Sequence, residues 1–161
     1  MKVVLAVHSH APGLKLVSLR ADRRGSIRLG QLHEVHRKFR HYMLVDDDQA
    51  LRRLVQRILT QQGFHIIEAS DGAEALQVAS AYAEPLDLLL TDVIMPKVNG
   101  LVLARRLLHE RPGIGVLYMS GYVEKSILLA KHPESIVLQK PFTADALIAA
   151  VGQMLASKAQ Q

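Results

Sequence analysis

The sequence predicts an α/β fold over residues 42–158: a doubly wound, five-stranded parallel sheet with helices on both faces. Two observations predict it. From residue 42 onward, five short apolar runs alternate with five stretches of helical periodicity. One of the runs, PLDLLLTD at 85–92, is apolar almost without interruption, as a strand must be when both its faces are covered.

The elements follow in order. YMLV (42–45) is the first strand, and Leu51, Leu54, Val55, Ile58 and Leu59 give 49–62 a helical period that Gly63 ends. FHIIEA (64–69) is the second strand, and DGAEALQVASAY (71–82) a helix opened by Asp71. After the third strand at 85–92, GLVLARRLLHER (100–111) is helical and is stopped by Pro112 and Gly113. IGVLYMS (114–120) is the fourth strand, a weaker helix covers 123–131, and SIVLQ (135–139) is the fifth strand. The closing helix spans 143–158, with Thr143 as its N-cap.

Residues 1–41 do not join this rhythm and form a separate basic arm. They carry nine Lys or Arg against Asp22 and Glu34, a net of +7, whereas 42–161 carry a net of −2. The arm is expected to be poorly structured, or to hold a short helix through Leu29, Leu32, Val35 or His36, and Phe39. His33 and His36 stand at i, i+3 but have no third partner for a metal. The arm matches no nucleic-acid-reading motif, so nucleic acid is not the expected partner. The chain has no cysteine and no run near the roughly 20 apolar residues that span a bilayer. A cytoplasmic protein without a membrane partner is expected.

In a parallel sheet of this kind ligands bind beyond the carboxyl ends of the strands. Asp46 and Asp47 follow the first strand, Asp92 ends the third, Ser120 ends the fourth and Lys140 follows the fifth. Three carboxylates, a hydroxyl and an ammonium therefore converge on one edge. The run Asp46-Asp47-Asp48 reads either as a solvated helix cap or as part of a cage for a divalent cation.

In order and spacing, LVDDD, LLLTDVIMPKVNGL, LYMSGY and LQKPF resemble the receiver domain of two-component response regulators, notably the receivers of hybrid sensor histidine kinases. The resemblance covers about residues 42–157 and implies a flavodoxin-like sheet of order 2-1-3-4-5. It implies that Asp92 accepts a phosphoryl group from a phosphohistidine donor, with Lys140 and Ser120 contacting the phosphoryl oxygens. It also implies Mg²⁺ or Mn²⁺ held by Asp47, Asp92 and the main-chain carbonyl of Ile94, with Asp46 acting largely through water. Asp48, which opens a helix, is better explained as a cap.

The same resemblance implies a cis bond between Lys140 and Pro141, and room at Gly121 for the backbone to move toward the phosphate. Tyr122 and Ile94 stand where the family tunes access of hydrolytic water. Output would pass through the face formed by the fourth helix, fifth strand and closing helix. The chain departs from the pattern at Val137, where many members carry Phe or Tyr as the rotating partner of the Ser or Thr.

The implied partners are a sensor histidine kinase or a histidine phosphotransfer protein, with a downstream protein target that the sequence does not name. The protein would be a monomer or a phosphorylation-dependent dimer. It would not be an enzyme beyond its own phosphorylation and dephosphorylation, since nothing in it supplies a kinase ATP site. Two alternatives stand beside this reading. One is a pseudo-receiver that only binds partners. The other is an aspartyl-phosphate phosphatase, whose pattern wants a second Asp where this chain has Ile94.

Overall fold

The computed structural model describes residues 2–7, 15–21, 27–28, 41–121, 128 and 136–158. Within 1–41, where the sequence led to the expectation of a poorly structured arm or a short helix, it describes three strands. Lys2–Val7 (β1), Lys15–Ala21 (β2) and Ile27–Arg28 (β3) form an antiparallel sheet in the order β1-β2-β3. The physical reason lies in the composition of the segments: KVVLAV and KLVSLRA are rich in Val and Leu, with a Pro-Gly turn signal between them. The helix expected over 29–39, with His33 and His36, lies outside the described residues.

The second sheet is the expected one. His41–Val45 (β4), His65–Ala69 (β5), Leu88–Asp92 (β6), Gly115–Ser120 (β7) and Ile136–Gln139 (β8) are parallel and ordered β5-β4-β6-β7-β8. Taken by themselves, these five strands run 2-1-3-4-5. The helices are Gln49–Gln61 (α1), Gly72–Ala81 (α2), Gly100–Glu110 (α3) and Ala144–Lys158 (α4). Of the helix expected over 123–131, the described residues include Leu128 alone, which is helical and buried.

Alternation along the central strands builds two cores. Tyr42 and Leu44 of β4 and Leu88 and Leu90 of β6 face Val55 and Leu59 of α1 and Leu147 and Val151 of α4. Met43, Val45 and Leu89 face the opposite way, against Ala75 and Ala79 of α2 and Leu103 and Leu107 of α3. The near-continuous apolar run of β6 follows from this sandwich. Leu88, Leu89 and Leu90 are all fully buried, and each such side chain contributes about 1.5–3 kcal/mol.

Capping fixes where the helices begin. The Asp48 carboxylate accepts from Ala50 N at 2.8 Å and Leu51 N at 3.1 Å, so the third aspartate of the run is a cap. Asp71 accepts from Ala73 N and Glu74 N, both at 2.9 Å, and Thr143 Oγ1 accepts from Ala146 N at 3.1 Å. Gly63, at φ 88°, ends α1 in a conformation that costs other residues more.

Candidate functional site

The strand ends bring the acidic residues together as their positions in the sequence require. Asp46, Asp47 and Asp92 each offer a carboxylate oxygen, and the three oxygens lie within 4.8 Å of one another. Asp46 is fully buried, Asp92 half-buried and Asp47 exposed. The cluster is therefore open to solvent on the Asp47 side and closed beneath Asp46.

Lys140 reaches into the cluster from the end of β8. Its Nζ donates to Asp46 Oδ2 at 2.7 Å and to Asp92 Oδ2 at 2.8 Å. The Lys140–Pro141 peptide is cis, as the resemblance implied. Burial pushes the Asp46 carboxyl above its ordinary value, against the opposing pull of Lys140 and of the Asp48 N–H, which donates at 2.9 Å. Burial also pushes the Lys140 ammonium down, but its bonds to Asp46 and Asp92 prevail and its pKa is raised. The lysine thus stays charged between the two carboxylates.

One ammonium does not balance three carboxylates. The remaining two negative charges, hard oxygen donors and an open side suit a divalent cation such as Mg²⁺. Oxygen donors without nitrogen or sulfur also argue against a zinc-type site.

The loop after β6 is tied to the same place. The other carboxylate oxygen of Asp92 accepts from Val93 N at 2.6 Å, and Ile94 N lies 3.4 Å from it. Val93 N also donates to Met119 O at 3.2 Å, and Gly100 N to Val93 O at 3.0 Å. A Cβ on Gly100 would lie 1.9 Å from Asp92 O, so α3 can begin this close to β6 only because residue 100 is glycine. Ile94 is 61% exposed, an apolar side chain at the rim of an acidic site.

The remaining expected residues fall on two sides of this centre. Ser120 is fully buried at the end of β7, and its hydroxyl donates to Gly121 O at 3.0 Å. Its own carbonyl accepts from Lys140 N at 2.7 Å, which links the Ser120 strand end to the lysine. Val137 pairs with Tyr118 across β7 and β8, so an aromatic lies on the neighbouring strand beside the position where the family often has one. Tyr122 lies outside the described residues.

Sequence reasoning missed Arg52 and the pairing of Asp71 with Lys97. Arg52 Nη1 donates to Asp46 O at 2.5 Å, and Arg52 Nε lies 3.9 Å from Glu68. Its signal was a basic residue one turn into the helix that follows the aspartates. Asp71 was read as a helix opener alone, yet its second oxygen accepts from Lys97 Nζ at 2.5 Å. Only the folded chain brings residues 71 and 97 together.

A parallel sheet with an acidic cluster and a lysine at its carboxyl edge is a doubly wound α/β domain with its charged site where such sheets bind ligands. Comparison with known proteins makes the assignment: residues 42–152 match the response regulator receiver domain, and the chain belongs to that family. It is 32% identical over 119 residues to the response regulator receiver protein CpdR of Brucella abortus (strain 2308), across 70% of this chain and 94% of that protein. It is 33% identical over 115 residues to the sensor kinase CckA of the same organism, but spans 12% of that protein's length against 70% of its own.

Among solved structures, a response regulator receiver protein from Sinorhizobium medicae WSM419 superposes with a TM-score of 0.66 at 30% identity. The match covers 75% of this chain and 98% of that one. The matched family is a receiver domain of two-component systems, not a kinase catalytic domain. No helix among the described residues is long and apolar enough to cross a membrane.

Proposed function

We propose that the protein accepts a phosphoryl group from a phosphohistidine donor onto Asp92 and switches the binding of a protein partner in response. The observation that carries this reading is Lys140 Nζ held between Asp46 and Asp92 at 2.7 and 2.8 Å, at the edge of a cluster completed by Asp47. Asp47, Asp92 and the Ile94 carbonyl would hold Mg²⁺ or Mn²⁺ directly, with Asp46 acting through water. A bound divalent cation supplies neutralisation of the phosphoryl oxygens and of the carboxylates they approach.

The residues divide the work as follows. An Asp92 oxygen attacks phosphorus, the P–N bond of the donor breaks, and its electron pair leaves with the imidazole. The product is an acyl phosphate on Asp92. Lys140 is placed to meet the new negative charge as a compact ammonium. Ser120, turned toward the Gly121 carbonyl before phosphorylation, would redirect its hydroxyl to a phosphoryl oxygen. Because Ser120 O accepts the Lys140 N–H, that movement would be shared by the ends of β7 and β8. The result is a population shift between two arrangements of the output face. A sensor histidine kinase or a histidine phosphotransfer protein would be the donor, in the cytoplasm.

Intact-mass analysis after incubation with acetyl phosphate tests the reading, with and without Mg²⁺ and beside Asp92→Asn. The expected result is a gain of one phosphoryl group that requires both the ion and Asp92. A folded protein that gains none under any condition contradicts it, and leaves the partner-binding pseudo-receiver.

A further inference from the structure

We propose that Asp71 and Lys97 act as a brace that positions the loop between β6 and α3, and through it the Ile94 carbonyl, for binding a divalent cation. The inference rests on the functional reading above, which assigns that carbonyl to the cation.

Two independent observations place the brace. The first is the ion pair, with Lys97 Nζ 2.5 Å from Asp71 Oδ2; the Asp71 side chain is 7% exposed and that of Lys97 69%. A nearly buried carboxylate is thus met by a cation arriving from the loop. The second is the fit of the neighbouring backbone. A Cβ on Gly72 would lie 2.4 Å from Val98 O and 2.8 Å from Val98 Cβ, so the corner opening α2 is packed directly against the loop at residue 98. Charge pairing and close packing therefore hold adjacent loop residues, 97 and 98, to adjacent corner residues, 71 and 72.

The loop has reason to need holding. Lys97 has φ 64°, the one positive value at a non-glycine residue among the described residues. That conformation is disfavoured for a side chain with a Cβ and persists where surrounding contacts impose it. At its start the loop is anchored by Val93 N on Met119 O, and at its end by Gly100 N on Val93 O. Ile94 lies between the first anchor and the brace, with its side chain mostly in solvent and Met95 buried beside it. The backbone at 94 is therefore placed by the contacts on either side of it. Mg²⁺ demands near-ideal octahedral ligand positions, so a small displacement of one carbonyl weakens it.

Asp71 and Lys97 would be positioning residues, since neither belongs to the carboxylate cluster. Asp71 also caps α2 through its other oxygen. Lys97→Met removes the pair without touching that cap, and Asp71→Asn keeps a capping oxygen while removing the charge.

The test is an NMR titration of the full chain with MgCl₂, with thermal midpoints recorded separately without the ion. The proteins are wild type, Lys97→Met, Lys97→Arg, Asp71→Asn and the double variant Asp71→Asn/Lys97→Met. The dissociation constant for Mg²⁺ is expected to rise about threefold to tenfold in each single charge-removing variant, at or below the usual loss for a group behind a metal ligand. It should rise no further in the double variant, and Lys97→Arg should recover most of the loss. A merely structural role would lower the thermal midpoint and leave the Mg²⁺ affinity of the folded protein unchanged. Wild-type affinity in both Lys97→Met and Asp71→Asn overturns the brace. A wild-type protein that takes no Mg²⁺ overturns the functional reading, and the brace with it.

Discussion

Lys140 donates to Asp92 at 2.8 Å before any phosphoryl group is present. The same ammonium donates to Asp46 at 2.7 Å, so one cation holds together the buried and the half-buried carboxylate of the cluster. Two consequences oppose each other. Lys140 relieves repulsion among the carboxylates and awaits the phosphoryl charge, yet it also competes with a divalent cation for the same oxygens.

Lys140→Met separates these roles. Without the ammonium the cluster carries three uncompensated negative charges, so Mg²⁺ should bind at least as tightly as in wild type. Phosphoryl transfer from acetyl phosphate should nevertheless slow by about tenfold or more, because the charge developing on the phosphoryl oxygens has lost its partner. Mg²⁺ affinity and initial phosphorylation rate, measured on the same preparation, check both halves. A loss of Mg²⁺ affinity comparable to the loss of rate contradicts this account of the lysine.

Gly100→Ala should damage the site from outside it. The added methyl would lie 1.9 Å from Asp92 O and 2.9 Å from Thr91 Oγ1, so either the start of α3 or the end of β6 must move. Overpacking of this kind costs about 1–3 kcal/mol. Chemical denaturation should show that loss, accompanied by slower phosphorylation of the fraction that remains folded. A variant as stable and as active as wild type would contradict the packing described at this junction.

Tyr42→Phe should raise stability. The Tyr42 ring is stacked on Phe64 at 4.5 Å between centroids and is fully buried, while its hydroxyl has no hydrogen-bond partner among the described residues. Burial pushes that hydroxyl's pKa far up. A buried unsatisfied polar group costs about 1–3 kcal/mol, and phenylalanine keeps the ring without it. Urea denaturation should show a gain of about 1 kcal/mol. A loss of similar size would contradict the account.

Asp71 gives a pH dependence with a definite sign. The Lys97 ammonium, together with the Glu74 and Ala73 N–H groups, holds the Asp71 carboxyl below its ordinary value of 3.8. A carboxyl depressed by folding contributes stability that is fully present above its unfolded value and is lost as pH falls through its folded value. Glu74, depressed chiefly by the Ser70 hydroxyl and N–H, titrates in the same acid window, so wild type alone does not isolate Asp71. The difference in thermal midpoint between wild type and Asp71→Asn should therefore be largest near neutrality and shrink below about pH 4. A difference that stays constant down to pH 2.5 would contradict the pairing with Lys97.

How much was legible in the sequence depended on the range of the interactions involved. The unbroken apolar runs of β4 and β6 record their two-sided burial directly, so the parallel sheet and the helices among the described residues could be read from the sequence. Asp46, Asp47, Asp92 and Lys140 were legible because strand ends of a parallel sheet share one edge, and Asp48 because an N-cap is local. The strands within 1–41 were missed because glycines and basic residues drew weight away from the Val- and Leu-rich segments around them. The Asp71–Lys97 pair was illegible for another reason. It joins a helix cap to a loop 26 residues away, and no periodicity records that distance. The orientation of Ser120 toward Gly121 was equally beyond reach, since a hydroxyl's partner is settled by the fold around it.

Reductive trapping of the phosphorylated protein tests the central claim most directly. Borohydride reduces an acyl phosphate to the alcohol, so an aspartyl phosphate is read as homoserine in a peptide digest. After treatment with acetyl phosphate and Mg²⁺, homoserine should appear at position 92, and omitting the ion should abolish it. Homoserine at position 46 or 47, or at no position in a sample whose intact mass has gained a phosphoryl group, would contradict the assignment of Asp92 as the acceptor.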